Sequence, residues 1–124
     1  MIGYMTLGTN DVQRAASFYD ALLGLLGAKR TMDFEKFVMW SAAPDKPGLG
    51  VIKPFDGKAA SSGNGTMASL AVDTPEKVHA LHAKAMELGG KDEGAPGPRG
   101  DSGFYAAYFR DLDGNKLAAF CMKR

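Results

Sequence analysis

The chain has 124 residues, 45% of them apolar, and a formal net charge of +1. That is enough for one domain with one core or for two small joined modules, and the near-neutral balance argues against disorder. Lys and Arg are scattered, with no basic run interleaved with aromatics, so nucleic acid is not an expected partner. The single cysteine, Cys121, excludes an intramolecular disulfide framework and a cysteine zinc cluster. No apolar run approaches the roughly 18 residues of a membrane span, and Met1-Ile2-Gly3-Tyr4 shows no signal-peptide pattern. The expected setting is the cytoplasm, with no membrane partner.

Met5–Thr9 reads as a short strand, after which Asn10 or Asp11 can cap a helix. Val12, Ala15, Ala16, Tyr19, Leu22 and Leu23 recur at three- and four-residue steps and build one apolar helix face, which Gly24 and Gly27 end. Ala28–Phe34 and Lys36–Ala42 read as strands with a turn near Asp33–Glu35. The cluster Pro44-Asp45-Lys46-Pro47-Gly48 then precedes a fourth strand, Leu49–Ile52. Lys58–Thr66, rich in Ser, Gly and Ala, is a linker. Ala68–Val72 is strand-like, and Thr74-Pro75 opens a second helix with Thr as cap and Pro in the first turn. Its buried stripe is Val78, Leu81, Ala85 and Leu88, and Gly89-Gly90 stops it. Glu93–Gly103, with several Gly and Pro, reads as a loop. Tyr108–Met122 reads as a hairpin around Asp111-Leu112-Asp113-Gly114-Asn115, because Asp, Asn and Gly tolerate reversing conformations.

The halves superpose without gaps. Leu7 matches Leu70, Leu25 matches Leu88 and Gly27 matches Gly90, all at an offset of 63 residues. Two copies of a β-α-β-β-β unit follow. The expected class is α+β, two tandem βαβββ modules whose sheets form a curved, partly open, barrel-like cavity. Residues 1–124 make a single domain, with module 1 at about 1–57, the linker at about 58–65 and module 2 at about 66–124.

This duplication, with Leu7-Gly8-Thr9-Asn10-Asp11, Phe18-Tyr19, Leu25-Leu26-Gly27, Leu70-Ala71-Val72-Asp73 and Tyr108-Phe109-Arg110-Asp111-Leu112-Asp113-Gly114-Asn115, resembles the vicinal oxygen chelate superfamily. That group includes glyoxalases, bleomycin-resistance proteins and extradiol dioxygenases. The resemblance covers nearly the whole chain and is specific to the fold, not the reaction. It implies a glyoxalase-like scaffold, a homodimer, and in the metalloenzymes two ligands per module, usually His, Gln or Glu, on cavity-facing strands. Carried over by position, those places fall on Tyr4, on Met67 at the same 63-residue offset, on Ala118 after the Asp-x-Asp-Gly-Asn turn, and within Leu49–Ile52. A phenol is a poor ligand unless ionised, a thioether favours soft Cu(I), and a methyl group cannot bind, so the usual divalent metal has no donors.

The expected function is therefore binding of a small apolar or aromatic molecule without metal. The ligand-binding candidates are Tyr4, Thr6, Met67, Ser69, Ala118, Phe120 and Arg99, the last through a bidentate grip on a carboxylate or phosphate. The alternatives are a lyase, isomerase or dioxygenase-type enzyme and a non-catalytic interaction module with a closed cavity. The enzyme would be metal-independent with Tyr4 as acid/base, or would hold a divalent metal if the ligand positions are misassigned. His79 and His82, the only histidines, lie three residues apart on the second helix and read as a partly exposed flank. Asp111-x-Asp113 lacks the distal Glu of a calcium loop and is explained by the turn.

Overall fold

Asp11 settles the start of the first helix: its extended backbone and a 3.1 Å bond from Arg14 N–H to its carboxylate make it the N-cap of α1, Val12–Gly24. The computed structural model describes residues 1–122. In it α1 follows β1 (Tyr4–Gly8) and precedes β2 (Lys29–Phe34), β3 (Phe37–Ser41) and β4 (Gly48–Ile52). The second half repeats the order with β5 (Met67–Ala71), α2 (Pro75–Glu87), β6 (Lys91–Pro98), β7 (Phe104–Arg110) and β8 (Lys116–Met122). The chain divides into two compact units, one spanning Met1–Ser62 and the other beginning at Gly63.

In the first unit the sheet order is β1-β4-β3-β2, with β1 and β4 parallel and the other pairs antiparallel. Leu7, Val38, Trp40 and Val51 are buried on the face that α1 covers. They meet the helix stripe Val12, Ala15, Ala16, Tyr19, Leu22 and Leu23, as the periodicity predicts. Gly27 has φ +74, the left-handed conformation that reverses the chain after the helix at no steric cost. A three-element clasp joins helix and sheet. The Asp20 carboxylate on α1 accepts from Trp40 Nε1 at 2.8 Å and from Arg30 Nε and Nη2 at 3.0 and 2.7 Å.

The second unit has the same connectivity, β5-β8-β7-β6, with β5 and β8 parallel. Val78, Leu81 and Ala85 of α2 are fully buried, and the helix packs across β6, β7 and β8. Thr74 caps α2 by accepting from Lys77 N–H at 3.2 Å, and Pro75 begins it. The turn before β8 is built around Asp111. Its Oδ1 accepts from the N–H groups of Asp113 and Asn115, both at 2.9 Å, and its Oδ2 accepts from Asn115 Nδ2 at 3.0 Å.

One expectation is corrected. Glu93–Pro98, read as loop, belongs to β6, an edge strand paired only to β7, whose register slips between Asp92 and Gly94 and between Gly94 and Gly97. An edge strand tolerates Pro because its outward N–H needs no ladder partner, and bulges accommodate Gly.

Candidate functional site

Each sheet has one face covered by its helix and one face not covered by it. Strand alternation assigns the residues. In the first unit Tyr4 and Thr6 of β1 stand opposite Gly48 and Gly50 of β4, while Leu7 between them is buried under α1. Phe37 and Met39 of β3 pair with Ile52 and Gly50 and share this open face. The two glycines of β4 are what let these side chains lie flat. A Cβ on Gly48 would come 2.7 Å from Met39 Sδ, and one on Gly50 would come 2.7 Å from Phe37 Cε1 and 3.1 Å from the Val38 carbonyl oxygen.

Tyr4 is 63% exposed and lines a cavity of about 750 Å³ together with Met32, Met39, Ser41 and Gly48. The walls combine two polarizable thioethers and a phenol with the hydroxyls of Thr31 and Ser41 and the side chains of Lys29 and Lys46, so an apolar surface that adapts to a flat molecule is bordered by polar groups. Thr6 lies two residues along β1 on the same face, opposite Gly50. Among the described residues the Tyr4 hydroxyl has no hydrogen-bond partner, and Lys29 and Lys46 line the same cavity.

In the second unit Met67, Ser69, Ala118 and Phe120 share the open face. Ser69 pairs with Ala118, and Tyr108 flanks Ala118 on its other side. Met67 is 39% exposed, whereas Ala118 is fully buried despite its position on this face. Phe120 stacks against Phe104 with ring centroids 5.5 Å apart. Arg99 lies over the Tyr108 ring at 5.3 Å, and Lys116 Nζ lies at the same distance from that ring. The Arg99 Nη groups donate to the carbonyls of Ala95, Gly97 and Pro98. The guanidinium thus braces the irregular β6 and keeps Nε–H and one N–H of Nη2 as its remaining donors.

The strand register fixes the position that sequence left open. Thr6 and Ser69 are repeat equivalents, and they pair with Gly50 and Ala118. Gly50 is therefore the counterpart of Ala118. The places that the resemblance assigns to a metalloenzyme's ligands thus hold Tyr4, Gly50, Met67 and Ala118, a phenol, no side chain, a thioether and a methyl group. That donor set does not fit Zn, Ni, Mn or Fe(II). Among the described residues no three His, Cys, Asp or Glu side chains come together as a potential metal site.

The histidines lie on α2, on the covered side of the second sheet. His79 Nε2 is 2.7 Å from the Tyr105 hydroxyl, and His82 Nε2 is 3.0 Å from Asp92 Oδ1. The N–H of Gly94 and then His82 hold the Asp92 carboxyl below the usual carboxylate range. Asp92 as a partner for His82 is not visible in the sequence, because Asp92 falls between the helix stop at Gly89-Gly90 and the expected loop Glu93–Gly103, in no predicted element. Glu93 is likewise pulled down by Arg110, whose Nε donates to it at 2.6 Å, so this carboxylate is already engaged. No helix among the described residues is long and apolar enough to cross a membrane.

Comparison with known proteins gives a consistent picture. The sequence model of the Glyoxalase/Bleomycin resistance protein/Dioxygenase superfamily matches residues 1–119. A glyoxalase/bleomycin resistance protein from Albidiferax ferrireducens T118 is 35% identical, with a TM-score of 0.89 and 98% of each chain covered. A hypothetical protein from S. aureus is 28% identical at a TM-score of 0.74, over 98% of this chain and 92% of that one. A lactoylglutathione lyase from Agrobacterium tumefaciens shares the fold at 18% identity, with a TM-score of 0.71 over 98% of this chain and 92% of that one. No protein of curated function matches the sequence.

Proposed function

The chain belongs to the glyoxalase/bleomycin resistance protein/dioxygenase superfamily, and we propose that it is a member that binds a small apolar or aromatic molecule without the catalytic metal. The observation that carries this reading is that the inherited donor positions hold Tyr4, Gly50, Met67 and Ala118, while in the first unit Tyr4 also lines a cavity of about 750 Å³ with Met32 and Met39. Sequestration requires a shaped apolar surface and a few polar anchors, here the Tyr4 and Ser41 hydroxyls. It requires no nucleophile–base pair. Thr6, Met67, Ser69, Ala118, Phe120 and Arg99 are the further ligand-contacting candidates.

The same reading makes the protein a homodimer. In the first unit Tyr4 and Phe34 are each 63% exposed and Met32 is exposed as well, an apolar surface suited to cover by a second copy. It also places the protein in the cytoplasm, where the buried thiol of Cys121 stays reduced.

The test is titration calorimetry with neutral aromatic probes, 2-naphthol and indole, on the wild-type chain and on Tyr4→Ala and Tyr4→Phe. The proposal expects binding that Tyr4→Ala weakens several-fold and that Tyr4→Phe largely keeps, because the ring and not the hydroxyl makes most of the contact. Turnover of a bound compound that disappears in Tyr4→Phe while affinity is kept would establish acid/base catalysis instead. Affinity indifferent to Tyr4→Ala would remove the site from this cavity.

A further inference from the structure

A second cavity in the first unit, of about 580 Å³, lies at the other end of the open face and shares no lining residue with the one beside Tyr4. Its floor is Phe37 and Ile52, paired across β3 and β4. Its rim is cationic: Lys36, Lys53 and Lys58 all line it. Lys53 N–H donates to the Lys36 carbonyl at 2.9 Å, which fixes these two residues side by side where the strands end.

Among the described residues several cations are paired with a carboxylate: Arg30 with Asp20, Lys77 with Asp73, Lys84 with Glu87 and Arg110 with Glu93. Among the described residues Lys36, Lys53 and Lys58 have no such partner. Asp56 is the acid nearest in sequence to Lys58, and its Oδ1 accepts the Lys58 backbone N–H at 2.9 Å. Three like charges around one concavity repel one another and favour an anion between them.

The segment beside the cavity is held in place. Ala60 N–H donates to Asn10 Oδ1 at 2.7 Å, and Ala60 packs close to Gly8. Pro54–Gly57 forms a tight turn closed by a 3.0 Å bond from Gly57 N–H to the Pro54 carbonyl, with Gly57 at φ +76. That turn carries Phe55, fully exposed at 105%, on the cavity wall. An aromatic ring exposed to water next to an apolar floor gains from a planar molecule that covers it.

We propose that this cavity is a binding site for a small aromatic anion, a ring bearing a carboxylate or phosphate group. The ring lies against Phe37 and Phe55, and the charge faces Lys36, Lys53 and Lys58. Lysine ammonium groups act here as point charges, so the site accepts either oxyanion without demanding bidentate geometry. The volume, within the range of small-molecule sites, favours such a ligand over a macromolecular surface.

The test uses the full chain and three probes: phenyl phosphate, inorganic phosphate and benzyl alcohol, each followed by titration calorimetry and amide chemical shifts. Benzoate in place of phenyl phosphate distinguishes carboxylate from phosphate as the preferred group. The expected result is phenyl phosphate or benzoate binding at least about tenfold more tightly than inorganic phosphate or benzyl alcohol, with affinity falling as salt is raised. Shifts are expected at residues 36–37 and 52–60. The triple variant Lys36→Gln, Lys53→Gln, Lys58→Gln is expected to lose about tenfold or more, since all three charges face the ligand. Phe55→Ala is expected to lose several-fold. All four side chains are exposed, so far-UV circular dichroism should be unchanged. Tyr4→Ala should leave these affinities intact, which separates this inference from the function proposed above.

Benzyl alcohol shifting residues 36–37 and 52–60 with the same affinity as the aromatic anions, an unaffected triple variant, or absence of binding by both aromatic anions would overturn the proposal. So would binding of wild-type protein to phosphatidylglycerol vesicles, lost in Phe55→Ala, without binding of phenyl phosphate. That outcome would make the patch a membrane contact.

Discussion

Asp20→Ala should be the most informative perturbation of the first unit, because one carboxylate there joins three elements. Asp20 accepts from the indole N–H of Trp40, a residue only 2% exposed, and from two nitrogens of Arg30. Removing it leaves the indole donor without its acceptor, a loss of about 1–3 kcal/mol. The Arg30 pair adds little, roughly 0.2–1 kcal/mol, because the Arg30 and Asp20 side chains are 34% and 44% exposed and solvent screens them. The expected total is about 2–3 kcal/mol. Asp20→Asn keeps an acceptor for the indole and should cost only about 0.5–1 kcal/mol, similar to Arg30→Gln. Urea unfolding followed by fluorescence of Trp40, the chain's single tryptophan, reads the difference. With a slope of about 1–2 kcal/mol per molar, Asp20→Ala should lower the midpoint by roughly 1–3 M.

The clasp also has a pH signature. Hydrogen bonds from Arg30, and then that from Trp40, hold the Asp20 carboxyl below its ordinary value against the opposing effect of partial burial. A depressed folded pKa contributes stability that is fully present above the unfolded value of about 3.9 and is lost as pH falls through the lower folded value. The acid limb of the Asp20→Asn stability profile should therefore be shallower than that of the wild type. Asp20→Asn as costly as Asp20→Ala, or Asp20→Ala indistinguishable from wild type, would refute the assignment of the stabilisation to the buried indole bond.

Two further outcomes follow from close approaches and turns. Gly50→Ala should destabilise by about 1–3 kcal/mol in thermal or urea unfolding, because its Cβ would meet both the Phe37 ring and the Val38 backbone oxygen. Gly48→Ala should cost less, since the obstacle there is mainly the flexible end of Met39 and the Ser41 hydroxyl. Equal costs would show that the Val38 backbone contact is not what limits residue 50. Asp111→Ala should cost about 2–3 kcal/mol, because two backbone N–H groups and the Asn115 amide lose their acceptor in a turn that is largely buried. A change below roughly 0.5 kcal/mol would mean that water replaces the carboxylate there.

Where periodicity and capping chemistry were strong, the sequence was sufficient. The α1 stripe from Val12 to Leu23, the Thr74-Pro75 start of α2 and the Asp111–Asn115 turn each stand where local residue chemistry puts them. The duplication at a 63-residue offset led to the two units because each copy keeps its helix caps and glycine stops. The misses have physical causes. β6 looked like a loop because Gly94, Gly97, Pro96 and Pro98 are strand breakers everywhere except on an irregular edge. The register of β4 could not be read from Gly-Leu-Gly-Val-Ile, which carries no polar alternation. Pairing of Thr6 with Gly50 and of Ser69 with Ala118 supplies it. The Asp20–Arg30–Trp40 clasp and the His82–Asp92 contact join residues 10 and 20 positions apart on different elements. No local pattern encodes such meetings.

The central claim is that this family member works without the family's metal. The most direct measurement is the metal content of the chain purified from metal-replete medium without chelator, followed by titration of Zn, Ni, Mn and Fe(II) into the same protein. The account predicts only substoichiometric metal and no saturable uptake, because Tyr4, Gly50, Met67 and Ala118 supply no suitable donors. Retention of about one divalent ion per chain through gel filtration, abolished by substituting a residue on either open face, would contradict it.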